Sequence, residues 1–74
     1  MKREYKQICV EMGKVIQTHR KANGLSQEEL AFQAGIDRTY ISQIERGISN
    51  PSLFIIVKVA SVLQLSLNQL FIDS

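Results

Sequence analysis

From Tyr5 onward, apolar residues recur at helical spacing. Tyr5, Cys9, Met12 and Ile16 form one stripe, with Ile8 and Val15 on its flank. Gln7, Glu11, Lys14, Gln17, Thr18 and Lys21 occupy the opposite side, so the pattern predicts an amphipathic first helix ended by Asn23-Gly24. Ser26, with Glu29 three residues on, spells a capping box and opens a second helix whose apolar positions are Leu30 and Ala31. Ala34-Gly35-Ile36 interrupts it, and Gly35 can take the left-handed conformation that a tight reversal needs. Asp37 caps a third helix through Gln43-Ile44-Glu45-Arg46, stopped by Gly47. A Ser49-Asn50-Pro51-Ser52 loop follows, in which Asn50 or Ser52 can cap a fourth helix running to Leu63. Ser66 with Gln69 makes a second capping box, for a short fifth helix to about Ile72. No segment alternates with the period of a strand. The expected fold is all-α: one domain over residues 1–74, a compact five-helix bundle with a helix-turn-helix at about 26–46.

The fourth helix has more apolar residues than one face can use. Leu53, Ile56, Val57, Ala60 and Leu63 build a core face, which leaves Ile55, Val59 and Val62 as a second stripe and Lys58 as the only charge. A small helix that is apolar all round is either central or covered by another chain. Leu65, Leu67, Leu70, Phe71 and Ile72 add apolar surface, of which Leu67 and Leu70 are expected to cap the core.

Composition narrows the function classes. Seventy-four residues, 45% hydrophobic and 22% charged, suit a globular domain too small to enclose a large active site. The single Cys9 excludes an internal disulfide and a cysteine metal cluster, and its place on the buried stripe makes it a core residue. His19, the only histidine, has no triad or metal partner at a suitable spacing and is assigned to boundary packing. Glu28-Glu29 at a helix start suits the macrodipole. With no nucleophile–base pair, metal cluster or phosphate loop, no enzyme and no cofactor are expected. Nine Lys/Arg against seven Asp/Glu give +2, too little to point to nucleic acid without the placement of the charges. No apolar stretch follows the charged Met1-Lys2-Arg3-Glu4, and the longest apolar run, Leu53 to Val57, is too short to span a bilayer. The expected setting is the cytoplasm, without membrane association and without an evident small-molecule effector.

The segments Gly13-Lys14-Val15-Ile16, Leu25-Ser26-Gln27-Glu28-Glu29-Leu30-Ala31, Gly35-Ile36, Tyr40-Ile41-Ser42, Ile44-Glu45-Arg46-Gly47, Asn50-Pro51-Ser52-Leu53 and Leu67 through Leu70-Phe71 follow one another in order. Together they resemble the helix-turn-helix domain shared by Cro and the phage repressors, the xenobiotic-response-element family. The resemblance implies a lambda-repressor-like DNA-binding domain. Within that family, Asp37-Arg38-Thr39-Tyr40-Ile41-Ser42 is most similar to the controller proteins of restriction-modification systems. The family commonly dimerises through its C-terminal region. The expected interface therefore lies at about 53–72 and includes Ile55, Val59, Val62, Phe71 and Ile72.

With Ile41 facing inward, Ile44 and Glu45 lie beside it, while Thr39, Ser42, Gln43 and Arg46 cluster on the far side. Arg38 stands at the helix start, where its fork can meet guanine O6 and N7. The resemblance assigns base reading to Arg38, Thr39 and Gln43, with Ser42 exposed on the same side. It assigns Gln27, in the first turn of the second helix, to the DNA backbone. Arg46, Ser49 and Asn50 border this surface as phosphate contacts, and Tyr40 either joins them or packs against the second helix. Arg20, on the inward stripe of the first helix, and Glu45 are expected to form a structural ion pair. The resulting reading is a homodimeric, nucleoid-associated regulator of transcription on a palindromic double-stranded operator, repressing or autoregulating as controller proteins do. The alternatives are an antitoxin-type autorepressor with a toxin partner and a protein-interaction adaptor on the same fold.

Overall fold

The computed structural model describes residues 4–71. Five helices follow in order: α1 (Tyr5–Ala22), α2 (Gln27–Ala34), α3 (Arg38–Arg46), α4 (Leu53–Leu63) and α5 (Leu67–Leu70), with no strand among the described residues. The capping signals set the helix starts. Ser26 Oγ accepts the Glu29 N–H while the Glu29 carboxylate accepts the Ser26 N–H, and Ser66 with Gln69 repeats the arrangement at α5. Asp37 accepts from Thr39 N–H to open α3, and Ser52, not Asn50, accepts from Ile55 N–H to open α4. Gly35 and Gly47 close α2 and α3 in the left-handed conformation, with φ of 71° and 73°. α4 ends without a glycine: Gln64 itself adopts φ 58°.

The interior is drawn from every helix. Ile16, Leu30, Ile41, Ile44, Val59 and Leu70 are the largest fully enclosed side chains. α1 lies directly on the end of α3, because Gly13 has no side chain to hold them apart. A Cβ there would stand 2.4 Å from the Ile44 carbonyl oxygen and 2.6 Å from that of Glu45. The same crossing leaves a Cβ on Gly47 only 2.7 Å from Val10 Cα. The two glycines thus let backbone meet backbone where α1 supports α3.

α4 is turned about its axis relative to the orientation its sequence pattern suggests. Val59, expected on the second stripe, is wholly enclosed with Ile56, Ala60 and Leu63, and Ile55 and Val62 are half-buried against the same core. Leu53 and Val57, expected inside, are exposed, as is Phe54. The buried set is centred about 50° around the helix from the expected one, half the angle between successive residues. In α1, Tyr5 lies at the exposed helix start instead of in the core. α5 stops at Leu70, whose side chain is buried, while Leu67 and Phe71 face outward. Ile72 lies outside the described residues.

Candidate nucleic-acid interface

α2, the Gly35 turn and α3 form the helix-turn-helix. The turn closes with Ile36 N–H donating to the Ala31 carbonyl at 3.0 Å and Gly35 N–H to that of Phe32 at 3.2 Å. α3 is sharply two-sided: Ile41, Ile44 and Glu45 are buried, while Arg38, Thr39 and Arg46 are exposed. Ser42 and Gln43 are half-buried on the flank of that outer side. Tyr40 packs against the core cluster, which places its ring beneath the polar surface.

The inward side of α3 is held by a buried ion pair. Arg20 Nε donates to Glu45 Oε2 at 2.6 Å and its NH2 group to Oε1 at 3.1 Å. The remaining guanidinium nitrogen, Nη1, donates to the Leu25 carbonyl at 2.8 Å, in the connection to α2. Both residues are 7% exposed, so neither charge has water as a substitute partner. Gln27, the first residue of α2, donates through Nε2 to Glu45 Oε1 at 3.0 Å. The sequence pattern pairs Arg20 with Glu45 and leaves Gln27 apart. A carboxylate has about four acceptor positions, more than one guanidinium fills, and that surplus was the available sign of a third member.

The loop after α3 is organised from the other end of the chain. Tyr5 Oη donates to Asn50 Oδ1, which ties the start of α1 to the exposed Asn50 and leaves the amide Nδ2 unoccupied by that bond. Ser49 is a correction: its hydroxyl is buried without a hydrogen-bond partner, so it is not presented to a phosphate. Arg46 and Asn50 remain on the surface beside α3.

A second surface is apolar. Leu53, Phe54 and Val57 are 65%, 69% and 45% exposed along the outer side of α4, and Phe71 is 41% exposed. Lys58 lies over the Phe54 ring, 5.1 Å from its centroid, so the only charge of α4 is drawn along the helix surface. Tyr5, Cys9, Met12, Leu53, Ile56 and Phe71 surround an adjoining open cavity of about 200 Å³. Phe32 on α2, 86% exposed beside Glu28 and Glu29, stands apart from this patch and was not singled out in the sequence. Among the described residues no His/Cys/Asp/Glu group is suited to a metal ion, and no helix is long and apolar enough to cross a membrane.

Residues 16–70 match the family described as Helix-turn-helix. The chain belongs to that family. It is 40% identical over 67 residues to the control protein C.MunI of a Mycoplasma species, covering 89% of this chain and 90% of that protein. Its fold is similar to the restriction-modification controller protein C.AhdI from Aeromonas hydrophila, with TM-score 0.81 and 44% identity over 85% of this chain and 96% of the other. It is also similar to SinR, the master regulator for biofilm formation, in a structure solved with DNA, with TM-score 0.75, 42% identity, and coverage of 80% of this chain and 95% of that one. Against the full Bacillus subtilis regulators SlrR and SinR the chain spans only 40% and 54% of their length. These relatives bear the names of regulators and control proteins, not of enzymes.

Proposed function

We propose that the chain is a sequence-specific DNA-binding regulator of transcription, acting in the cytoplasm as a homodimer on a palindromic operator. The observation that carries this reading is the outer side of α3. Arg38, Thr39 and Arg46 stand exposed on a helix whose inner side is locked by Arg20–Glu45, in a fold similar to that of SinR bound to DNA. Arg38 is the main base reader, reaching a guanine edge from the helix N-terminus, with Thr39, Ser42 and Gln43 alongside. Gln27, Arg46 and Asn50 hold phosphates and set the register. The likeness to C.MunI and C.AhdI supports a controller role, repressing or autoregulating a restriction-modification locus.

A second copy covers the apolar side of α4. A two-fold contact through Leu53, Phe54, Val57 and Phe71 places two recognition helices on one face of the duplex, about 34 Å apart. This surface replaces the stripe through Val59, which is interior to one chain. The test is affinity for an operator selected from random duplexes, and for its single-base variants, at several salt concentrations. Arg38→Ala should weaken the selected site by about 1–3 kcal/mol and relax preference at one base pair per half-site. Arg46→Ala should weaken all sequences alike and reduce the salt slope by about one ion. A wild-type chain that binds no duplex even at low salt would rule the reading out.

A further inference from the structure

Gln27 is bound from behind by a group that can only accept. Its Nε2 donates to Glu45 Oε1, the oxygen that also receives the Arg20 NH2 group, while Oε2 takes Arg20 Nε. The amide therefore must turn its nitrogen inward, and one of its two N–H groups is spent on the carboxylate. The second N–H is the only donor the side chain has left for the surface. A phosphate diester, itself acceptor-only, can be met by that N–H and not by the amide oxygen. We infer that Glu45 is a positioning residue for DNA binding: through the buried pair it orients Gln27 and holds its free N–H ready for a backbone phosphate. The inference rests on the proposed DNA-binding function.

Two consequences follow from the geometry. Glutamine has three side-chain torsions, and a bond made before DNA arrives leaves less rotamer freedom to lose on docking. The network also joins Leu25, at the entry to α2, with Gln27, at its first turn, and Glu45, near the end of α3. A phosphate seated at Gln27 is thereby in register with the helix that reads bases, since both are fixed to one carboxylate.

The experiment separates positioning from bare structural support. The pair can be removed without stranding a charge by Arg20→Met with Glu45→Leu, since apolar replacement of a buried ion pair is often neutral for stability. Affinities for the selected operator and for an unrelated duplex are compared among wild type, Gln27→Ala, the Arg20→Met/Glu45→Leu protein and the combined triple variant. Gln27→Ala should lower both affinities about threefold to tenfold, without changing the salt slope, because a neutral amide displaces no counterion. The Arg20→Met/Glu45→Leu protein, folded by its melting curve, should show the same loss, and adding Gln27→Ala should cost nothing more. A folded Arg20→Met/Glu45→Leu protein in which Gln27→Ala still exacts its full factor overturns the inference.

The side-chain amide spectrum of the wild-type protein gives a second reading should that variant not fold. The Gln27 Nε2 proton bonded to Glu45 should be shifted from its free-glutamine position and slow to exchange, and the other should be the one that moves as duplex is added. Both protons at free-glutamine positions and exchanging freely would overturn the inference just as surely. A wild type that binds no duplex refutes the proposed function and this inference with it, whereas intact binding with independent Gln27 and Glu45 effects refutes this inference alone.

Discussion

α3 and α4 are neighbours in the chain, and both place residues in the same core, yet they declare their orientation very differently. In α3 the exposed residues are polar or charged, and only Ile41 and Ile44 are large and apolar, so the helix can sit in one rotational setting. Glu45, the polar residue that breaks the rule, has its partner waiting at Arg20. In α4 eight of eleven residues from Leu53 to Leu63 are Leu, Phe, Ile or Val, and rotation by half a residue exchanges one apolar set for another. Polar residues, rather than the apolar ones that supply the burial energy, specify the angle at which a helix docks. α4 takes its angle from what the rest of the bundle leaves open: small Ala60 faces inward with Val59, while Phe54 and Leu53 stay outside.

The comparison is most sharply tested on α4 itself, with paired substitutions of the same kind. Val59→Glu buries a carboxylate with no partner, at a cost on the order of 4 kcal/mol or more. A domain of this size has roughly 4–11 kcal/mol of stability to lose, so the variant should be largely unfolded by circular dichroism. Val57→Glu, two residues away and 45% exposed, should melt close to the wild type and sediment as a monomer if the apolar side of α4 is the dimer contact. A Val59→Glu protein with an undiminished melting temperature would mean that α4 is set as its sequence pattern suggests, with Val59 outward.

On α3 the buried carboxylate should show a smaller but still large effect. Glu45→Ala leaves Arg20 buried with one backbone carbonyl as its remaining partner and strips Gln27 of its acceptor. The expected loss is about 3–5 kcal/mol, against less than about 0.5 kcal/mol for Ser42→Ala on the outer flank. Similar melting temperatures for the two would break the account of α3 as a helix oriented by its polar residues.

What was legible in the sequence follows the same division. Helix starts were readable because Ser26, Asp37 and Ser66 carry the acceptor that a free N–H needs, and α2 and α3 end where glycine allows a positive φ. Where no glycine marks the end, as at Gln64, helical periodicity had to supply it. The polar side of α3 and the Arg20–Glu45 partners were readable because each charge sat on a side where it needed an explanation. The setting of α4 was not, since an apolar residue is tolerated both inside and outside. The Gln27–Glu45 and Tyr5–Asn50 bonds join residues 18 and 45 positions apart: the packing of α2 on α3 brings the first pair together, and that of α1 on α3, through a bare Gly13, the second. Ser49 shows the opposite error: a polar residue in a loop reads as exposed, whereas its hydroxyl is turned inside.

The smallest predicted effect compares the two halves of the molecule through their capping boxes. Ser26 N–H donates to Glu29 at 2.8 Å and Ser66 N–H donates to Gln69 at 2.8 Å, so this bond is matched in length while the charge of its acceptor differs. Accepting the Ser26 backbone N–H holds the Glu29 carboxyl below its ordinary 4.5, with a side-chain hydrogen bond from Ser26 to the carboxyl acting in the same direction. A lowered folded value means that the native state favours the ionised form. The stabilisation is therefore present above 4.5 and is lost as pH falls through the lowered value. Gln69 does not titrate, so the α5 box should hold equally at either pH. Glu29→Gln should melt slightly below wild type at neutral pH, and the gap should close in acid. Gln69→Glu should do the reverse, conferring on α5 an acid sensitivity that wild-type α5 lacks. Melting temperatures of the three proteins from neutral pH down to about pH 3 decide the matter, because the background titration of other carboxylates is common to all three and cancels in the differences. A constant gap between wild type and Glu29→Gln across that range would show that the charge at Glu29 contributes nothing beyond the hydrogen bond.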